Sequence, residues 1–272
     1  PSAIFGATSI LLVYFLANLL FNKKVALLSA LIFSINPFHI FLSQQARMYS
    51  LFVLFSLLSL FYFFKLLKEN KKISWFSYLF FSLLNLYIHY FAIFVLFTQF
   101  IYFVLFYKNF KFKLKYFMLT NFVILVLFSP QFLKIYNGLL TKISDINWGL
   151  KPSEYFMSIF NSFLGWNTVF TVIVFLLFLF GLLRTENNGK KLNIFGIFYV
   201  LIPLVVGFLL SFKIAIIPRY FIFILPIYIM FLSKGLINIK YKWIQLFFVT
   251  FILLISGFKL IEDYSKSNHA QW

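Results

Sequence analysis

From about residue 3 to residue 260 the chain repeats one pattern, an apolar run of roughly 15–20 residues and then a short polar or cationic break, with one longer polar segment from about Lys134 to Trp166. The runs are continuous and do not alternate apolar with polar, as the strands of a membrane β-barrel would. Hydrocarbon leaves no water to satisfy backbone amides, so runs of this kind fold as membrane-spanning helices. The fold class expected is therefore all-α, a polytopic helical membrane protein. The loops are too short for a soluble domain, and residues 1–272 read as one transmembrane domain.

About ten spans are expected, near Ala3–Phe21, Val25–Leu42, Met48–Leu67, Ile73–Tyr87, Tyr90–Tyr107, Tyr116–Leu133, Thr168–Leu183, Leu192–Phe212, Arg219–Leu232 and Trp243–Leu260. Pro37 should bend the end of the second. After Pro152, apolar Phe156, Ile159, Phe160, Phe163 and Leu164 and polar Glu154, Ser158, Asn161 and Ser162 form a helical stripe. That helix either lies flat in the membrane interface or packs on the bundle.

The chain carries 24 basic and 6 acidic residues, a net charge of +18. The cations fall in clusters between spans rather than on one soluble face, so nucleic-acid binding is excluded as a function class. Alternating the loops puts Lys23–Lys24 and the other lysine clusters on one side, with roughly twice the basic residues of the opposite side. That side is cytoplasmic by the positive-inside rule. The protein is then multi-pass in the cell membrane, with the first and last visible residues extracytoplasmic. With no Cys there is no thiolate metal site, and three scattered His do not make one. No cofactor is expected, and whether a metal takes part is open.

The interesting polar residues collect on the extracytoplasmic side. Gln44, Gln45, Arg47 and Tyr49 lie at the second-to-third turn, His89 and Tyr90 at the fourth-to-fifth, and Lys213, Arg219 and Tyr220 before the ninth span. Placing Arg at a bilayer centre costs roughly 2.5–3.5 kcal/mol, so such residues sit at an edge or in a wet cavity. Together these groups suit an anionic ligand: Arg offers a planar fork for phosphate, and aromatic rings suit a sugar or lipid chain. Taken singly, Arg47 and Arg219 read equally well as interfacial anchors, Lys213 as a topology charge and His89 as an ordinary interfacial histidine.

The wording of these stretches adds to this. The run Asn36-Pro37-Phe38-His39-Ile40-Phe41-Leu42-Ser43-Gln44-Gln45-Ala46-Arg47-Met48-Tyr49 resembles the "P-h-h-h-x-S-Q-E-A-R-M-Y" signature of the GT-C membrane glycosyltransferases, the group of protein O-mannosyltransferases and lipid A aminoarabinose transferases. Leu86 to Phe91 looks like that family's "hhTHYF" turn. Trp148 to Ser153 looks like its Trp-x-x-x-Pro-Ser entry to an interfacial helix, and Pro218-Arg219-Tyr220 with Pro226 like its "P-R-Y" helix. Tyr264 to Trp272 looks like the start of its extracytoplasmic tail.

The resemblance implies transfer of a sugar from a polyprenyl-phosphate carrier to a protein, lipid or glycan acceptor on the outer face. It implies Arg47 and Arg219 in the phosphate pocket, with Gln45, Tyr49, His89, Tyr90 and Tyr220 lining the cavity. It also implies a catalytic Asp in a first extracytoplasmic loop upstream of Pro1, so residues 1–272 read as a fragment, truncated at both ends and inactive alone. Where the family often has Glu, this chain has Gln45, which cannot act as a base. Asp145 and Glu154 fall in no catalytic motif. Two other classes stay open: a transporter or flippase of lipid-linked glycans, which should carry polar residues near the membrane midplane, and a non-catalytic scaffold.

Overall fold

The computed structural model describes residues 1–110, 114–132, 134, 137, 149–165, 167–184 and 189–267. All regular structure among them is helical: α1 (Ser2–Leu20), α2 (Lys23–Ser34), α3 (Pro37–Gln44), α4 (Tyr49–Glu69), α5 (Lys72–Ile88), α6 (Ala92–Phe106), α7 (Leu114–Phe128), α8 (Tyr155–Leu164), α9 (Thr168–Leu183), α10 (Lys190–Ser211), α11 (Leu225–Ile237) and α12 (Lys242–Ser267). A 3-10 segment, Pro218–Ile224, leads into α11.

Seven of the described helices are long and apolar enough to cross a bilayer, and nine if each of two bent pairs counts as one span. The expected ten is reached only by adding α5, which at 17 residues is about 26 Å long and short of the hydrocarbon core. The second expected span is one of the bent pairs, and Pro37 does more than bend it. The helix stops at Ser34, and α3 restarts at an angle of 56°. Asn36 is the N-cap of the new helix, accepting from the His39 N–H at 2.8 Å, and Pro37 follows as its first residue.

The second bent pair is α8 with α9, which meet at 81°. The stripe read after Pro152 forms α8, opened by a 3-10 turn at Pro152–Glu154. It lies across the bundle with Tyr155, Ile159, Phe163 and Leu164 buried, and turns Phe156 and Met157 outward. The Asn36 side-chain amide donates to the Phe163 carbonyl, tying α8 to the break between α2 and α3.

Burial grades the helices. The span Pro218–Ile237 is 89% buried and forms the axis of the bundle, while Lys242–Ser265 is 17% buried and stands at its edge. Buried polar side chains hold α4, α5, α6 and α7 together at mid-depth. Ser59 Oγ meets Ser82 Oγ at 2.8 Å, Gln99 Nε2 donates to Ser59 Oγ at 3.0 Å, and Asn85 Nδ2 donates to Ser56 Oγ at 3.1 Å. The Tyr78 hydroxyl donates to Asn121 Oδ1 at 3.1 Å. In hydrocarbon such bonds act as glue between helices, each worth about 0.6–2 kcal/mol. On the other side, α9 and α11 cross at Gly181 and Gly235, where a Cβ on either would collide with the opposite backbone, at Phe231 O or Leu177 O.

Several boundaries move. The ninth expected span starts as the 3-10 segment and continues to Ile237, which brings Lys234 inside. This lysine is not a loop charge: it is 4% exposed and donates to Arg184 O and Asn193 Oδ1, both at 2.7 Å. The faces of Phe21 and Phe231 lie beside its ammonium. Tyr264 to Ser267, expected to open a tail, continue α12. Leu133, Asp145, Trp148 and residues 268–272 lie outside the described residues.

Candidate functional site

Three chain turns meet at one end of the bundle. The first, residues 45–48, joins α3 to α4, with Gln45 extended and Met48 already helical. The second is the α5–α6 turn at His89. The third is the 3-10 segment from Pro218. The break at Asn36–Pro37 delivers α3 short of the next span, His89 adopts extended backbone and ends α5, and Pro218 opens the 3-10 segment.

His89 is the centre of the cluster. Its ring stacks on Phe52 (4.6 Å between centroids, 16° between planes) and lies 6.0 Å from Tyr49, 5.5 Å from Phe91 and 5.5 Å from Tyr220. The Arg219 guanidinium sits over the other ring in the group, 5.5 Å from the centre of Tyr49. Arg219 Nε is buried and has no hydrogen-bond partner among the described residues, and the same holds for Gln45 Oε1 and Ser50 Oγ. Buried polar atoms of this kind cost about 1–3 kcal/mol each unless something answers them. Burial lowers the pKa of His89 to about 4, so the ring is neutral at pH 7.

Arg47 is exposed and lines an open cavity of about 640 Å³ with Pro1, Ser2, Ala46, Met48 and Tyr49. Tyr49 is therefore the hinge of the site. One edge faces the Arg47 cavity, while its ring carries Arg219 and adjoins His89. The neighbouring Gln44 donates through Nε2 to the Tyr264 hydroxyl, which anchors the end of α12 beside the loop.

Of the residues singled out by sequence, Tyr49, His89, Arg219 and Tyr220 come together in one cluster. Arg47 and Gln45 lie on the loop that borders it. Tyr90 does not join: it is 53% exposed and makes no ring contact or side-chain hydrogen bond among the described residues. The 5.5 Å ring approach belongs instead to its neighbour Phe91. Lys213 is exposed at the end of α10. Phe52, Phe91 and Ser50 were not anticipated. Phe52 had a signal, since it follows Tyr49 by three residues and so shares its helix face.

Among the described residues no three of His, Asp and Glu lie close enough to hold a metal ion. Glu262 and Asp263 are paired with Lys259, at 3.5 and 3.0 Å. Glu154 is exposed at the head of α8. The described cluster can thus bind through cations, rings and one neutral imidazole, and it contains no carboxylate.

Residues 1–133 match the family model described as dolichyl-phosphate-mannose-protein mannosyltransferase. No curated protein and no solved structure matches the chain. The matched stretch contains the turns that hold Gln45, Arg47, Tyr49, His89 and Tyr90.

Proposed function

From a chain whose first 133 residues match the mannosyltransferase family, and which resembles the GT-C glycosyltransferases, we propose a membrane enzyme that moves a sugar from a polyprenyl-phosphate carrier to an acceptor at the extracytoplasmic face. At family level, the match supports a glycosyltransferase of the mannosyltransferase type in a multi-pass membrane protein. The observation that carries the finer reading is the Arg219–Tyr49–Arg47 arrangement. Tyr49 lines the open cavity together with Arg47, and its ring carries the Arg219 guanidinium, whose buried Nε is unanswered among the described residues.

In the reaction, the bond between the anomeric carbon and a phosphate oxygen breaks as a bond to the acceptor oxygen forms. Negative charge grows on the departing phosphate. Arg219, fixed against Tyr49, and the freer Arg47 are placed to meet that charge as it develops. The acceptor must also lose a proton, and the described cluster itself offers no carboxylate to take it. Glu262 and Asp263 are committed to Lys259, so neither receives this role here. The polyprenyl chain lies in the bilayer, and the acceptor approaches from outside.

A lipid-linked-glycan transporter would need polar groups free to meet cargo near the midplane. Ser56, Ser59, Ser82, Asn85 and Gln99, at mid-depth, satisfy one another between helices, which supports a packing role for them instead. The test is binding of polyprenyl phosphate to the reconstituted chain. Arg219→Ala and Arg47→Ala should each weaken it by about tenfold or more, as expected for loss of a charge-assisted hydrogen bond. Unchanged affinity in both variants would remove the phosphate pocket from this site.

A further inference from the structure

The proton on His89 is placed by the main chain. Phe91, the N-cap of α6, points its N–H at His89 Nδ1, at 3.2 Å. A nitrogen that accepts carries no proton, so the ring's single hydrogen is on Nε2, and the imidazole is not the doubly protonated cation. The ring cannot easily turn over to change this. Phe52 stacks on one face, and Tyr49, Phe91 and Tyr220 crowd its surroundings. No described residue makes a hydrogen bond to Nε2.

We infer that His89 is a neutral, tautomer-locked hydrogen-bond donor that presents Nε2–H to an oxygen of the bound lipid-phosphate sugar, and that it acts neither as general base nor as counter-charge. This rests on the function proposed above. It divides labour within the cluster: the arginines meet charge, and His89 fixes position. The groups facing the ring are Tyr49 from α4 and Tyr220 with Arg219 from the 3-10 segment, while α6 contributes only the apolar Phe91. None of them is an acid, so nothing adjacent draws a second proton onto the ring. The low pKa of His89, caused by burial, agrees with this.

The acceptor oxygen belongs either to the phosphate or to a sugar hydroxyl. Both are tested with the chain reconstituted in nanodiscs of zwitterionic lipid, using polyprenyl phosphate and polyprenyl phosphate mannose as probes. His89→Ala should weaken binding about tenfold, and His89→Gln, whose amide N–H reaches the same place, by no more than about threefold. Weakening toward both probes assigns the phosphate oxygen, and weakening toward the mannosyl form alone assigns the sugar. Nitrogen-15 histidine NMR should show the Nε2–H tautomer at pH 7 and still at pH 5.5, with the signal identified by its loss in His89→Gln. An Nδ1–H or doubly protonated ring overturns the inference whatever the protein binds. Wild-type affinity in His89→Ala for both probes also overturns it and leaves the proposed function standing. A wild-type chain that binds neither probe removes the proposed function, and this role with it.

Discussion

Tyr49 shows how much a single position carries at this site, because it touches the open cavity, the Arg219 guanidinium and the His89 ring at once. His89 in turn links the site to stability. An unfolded histidine titrates near 6.5, and burial holds the folded one near 4. Between those values the unfolded chain binds the extra proton, so stability is full above about pH 6.5 and falls as pH drops toward 4. The loss approaches roughly 3 kcal/mol as an upper bound, and below pH 4 this contribution is flat. The melting temperature of the detergent-solubilised protein should therefore drop between pH 7 and 4.5, and His89→Gln should flatten part of that slope. An identical slope in the variant would show that His89 titrates freely. Much of this cluster was legible in sequence, because Arg47, His89 and Arg219 break apolar runs where polarity is expensive. Phe52 and Phe91 were not, since 44 phenylalanines make any one of them look like packing. Only the fold reveals which rings face the imidazole.

Among the helices, α9 begins and ends at the residues its apolar run indicated, Thr168 and Leu183. Hydropathy alone suffices there because Asn167 caps the start, accepting from the Phe170 N–H at 2.9 Å. It failed at Asn36, where a buried cap splits one apolar run into two helices, and at Lys234, whose buried ammonium is held by Arg184 O and Asn193 Oδ1 beside two aromatic faces. It was also silent on which glycines matter. The backbones of α9 and α11 touch at Gly181 and Gly235, so Gly235→Ala must push the helices apart, at a cost of about 1–3 kcal/mol. Gly257 on α12 faces open space, where alanine has helix propensity in its favour by up to about 1 kcal/mol. Thermal unfolding should separate the two: Gly235→Ala melts lower, and Gly257→Ala melts no lower than the parent. Equal melting temperatures would mean that α9 and α11 do not cross this tightly.

Across the whole molecule, the proposed site depends on three short turns that meet at one end of the bundle. The chain has no cysteine, so single cysteines report topology without a background. The proposed orientation puts the lysine clusters in the cytoplasm, and on it Ala46→Cys should react with a membrane-impermeant maleimide added to intact cells, whereas Lys24→Cys should react only after the membrane is opened. The reverse pattern would put the cluster on the cytoplasmic face and end the proposed function. The mid-depth polar thread bears on how such a protein is made. Ser59 and Gln99 are 40 residues apart in the chain. At about 5–20 residues per second, α4 waits roughly 2–8 s in the nascent membrane before Gln99 is synthesised. Until then Ser59 has only Ser82 to answer it, on a helix too short to span comfortably by itself. The helices α4, α5 and α6 thus close their polar contacts only once all three have been made, and a chain stopped before Gln99 leaves Ser59 and Ser82 to answer one another alone.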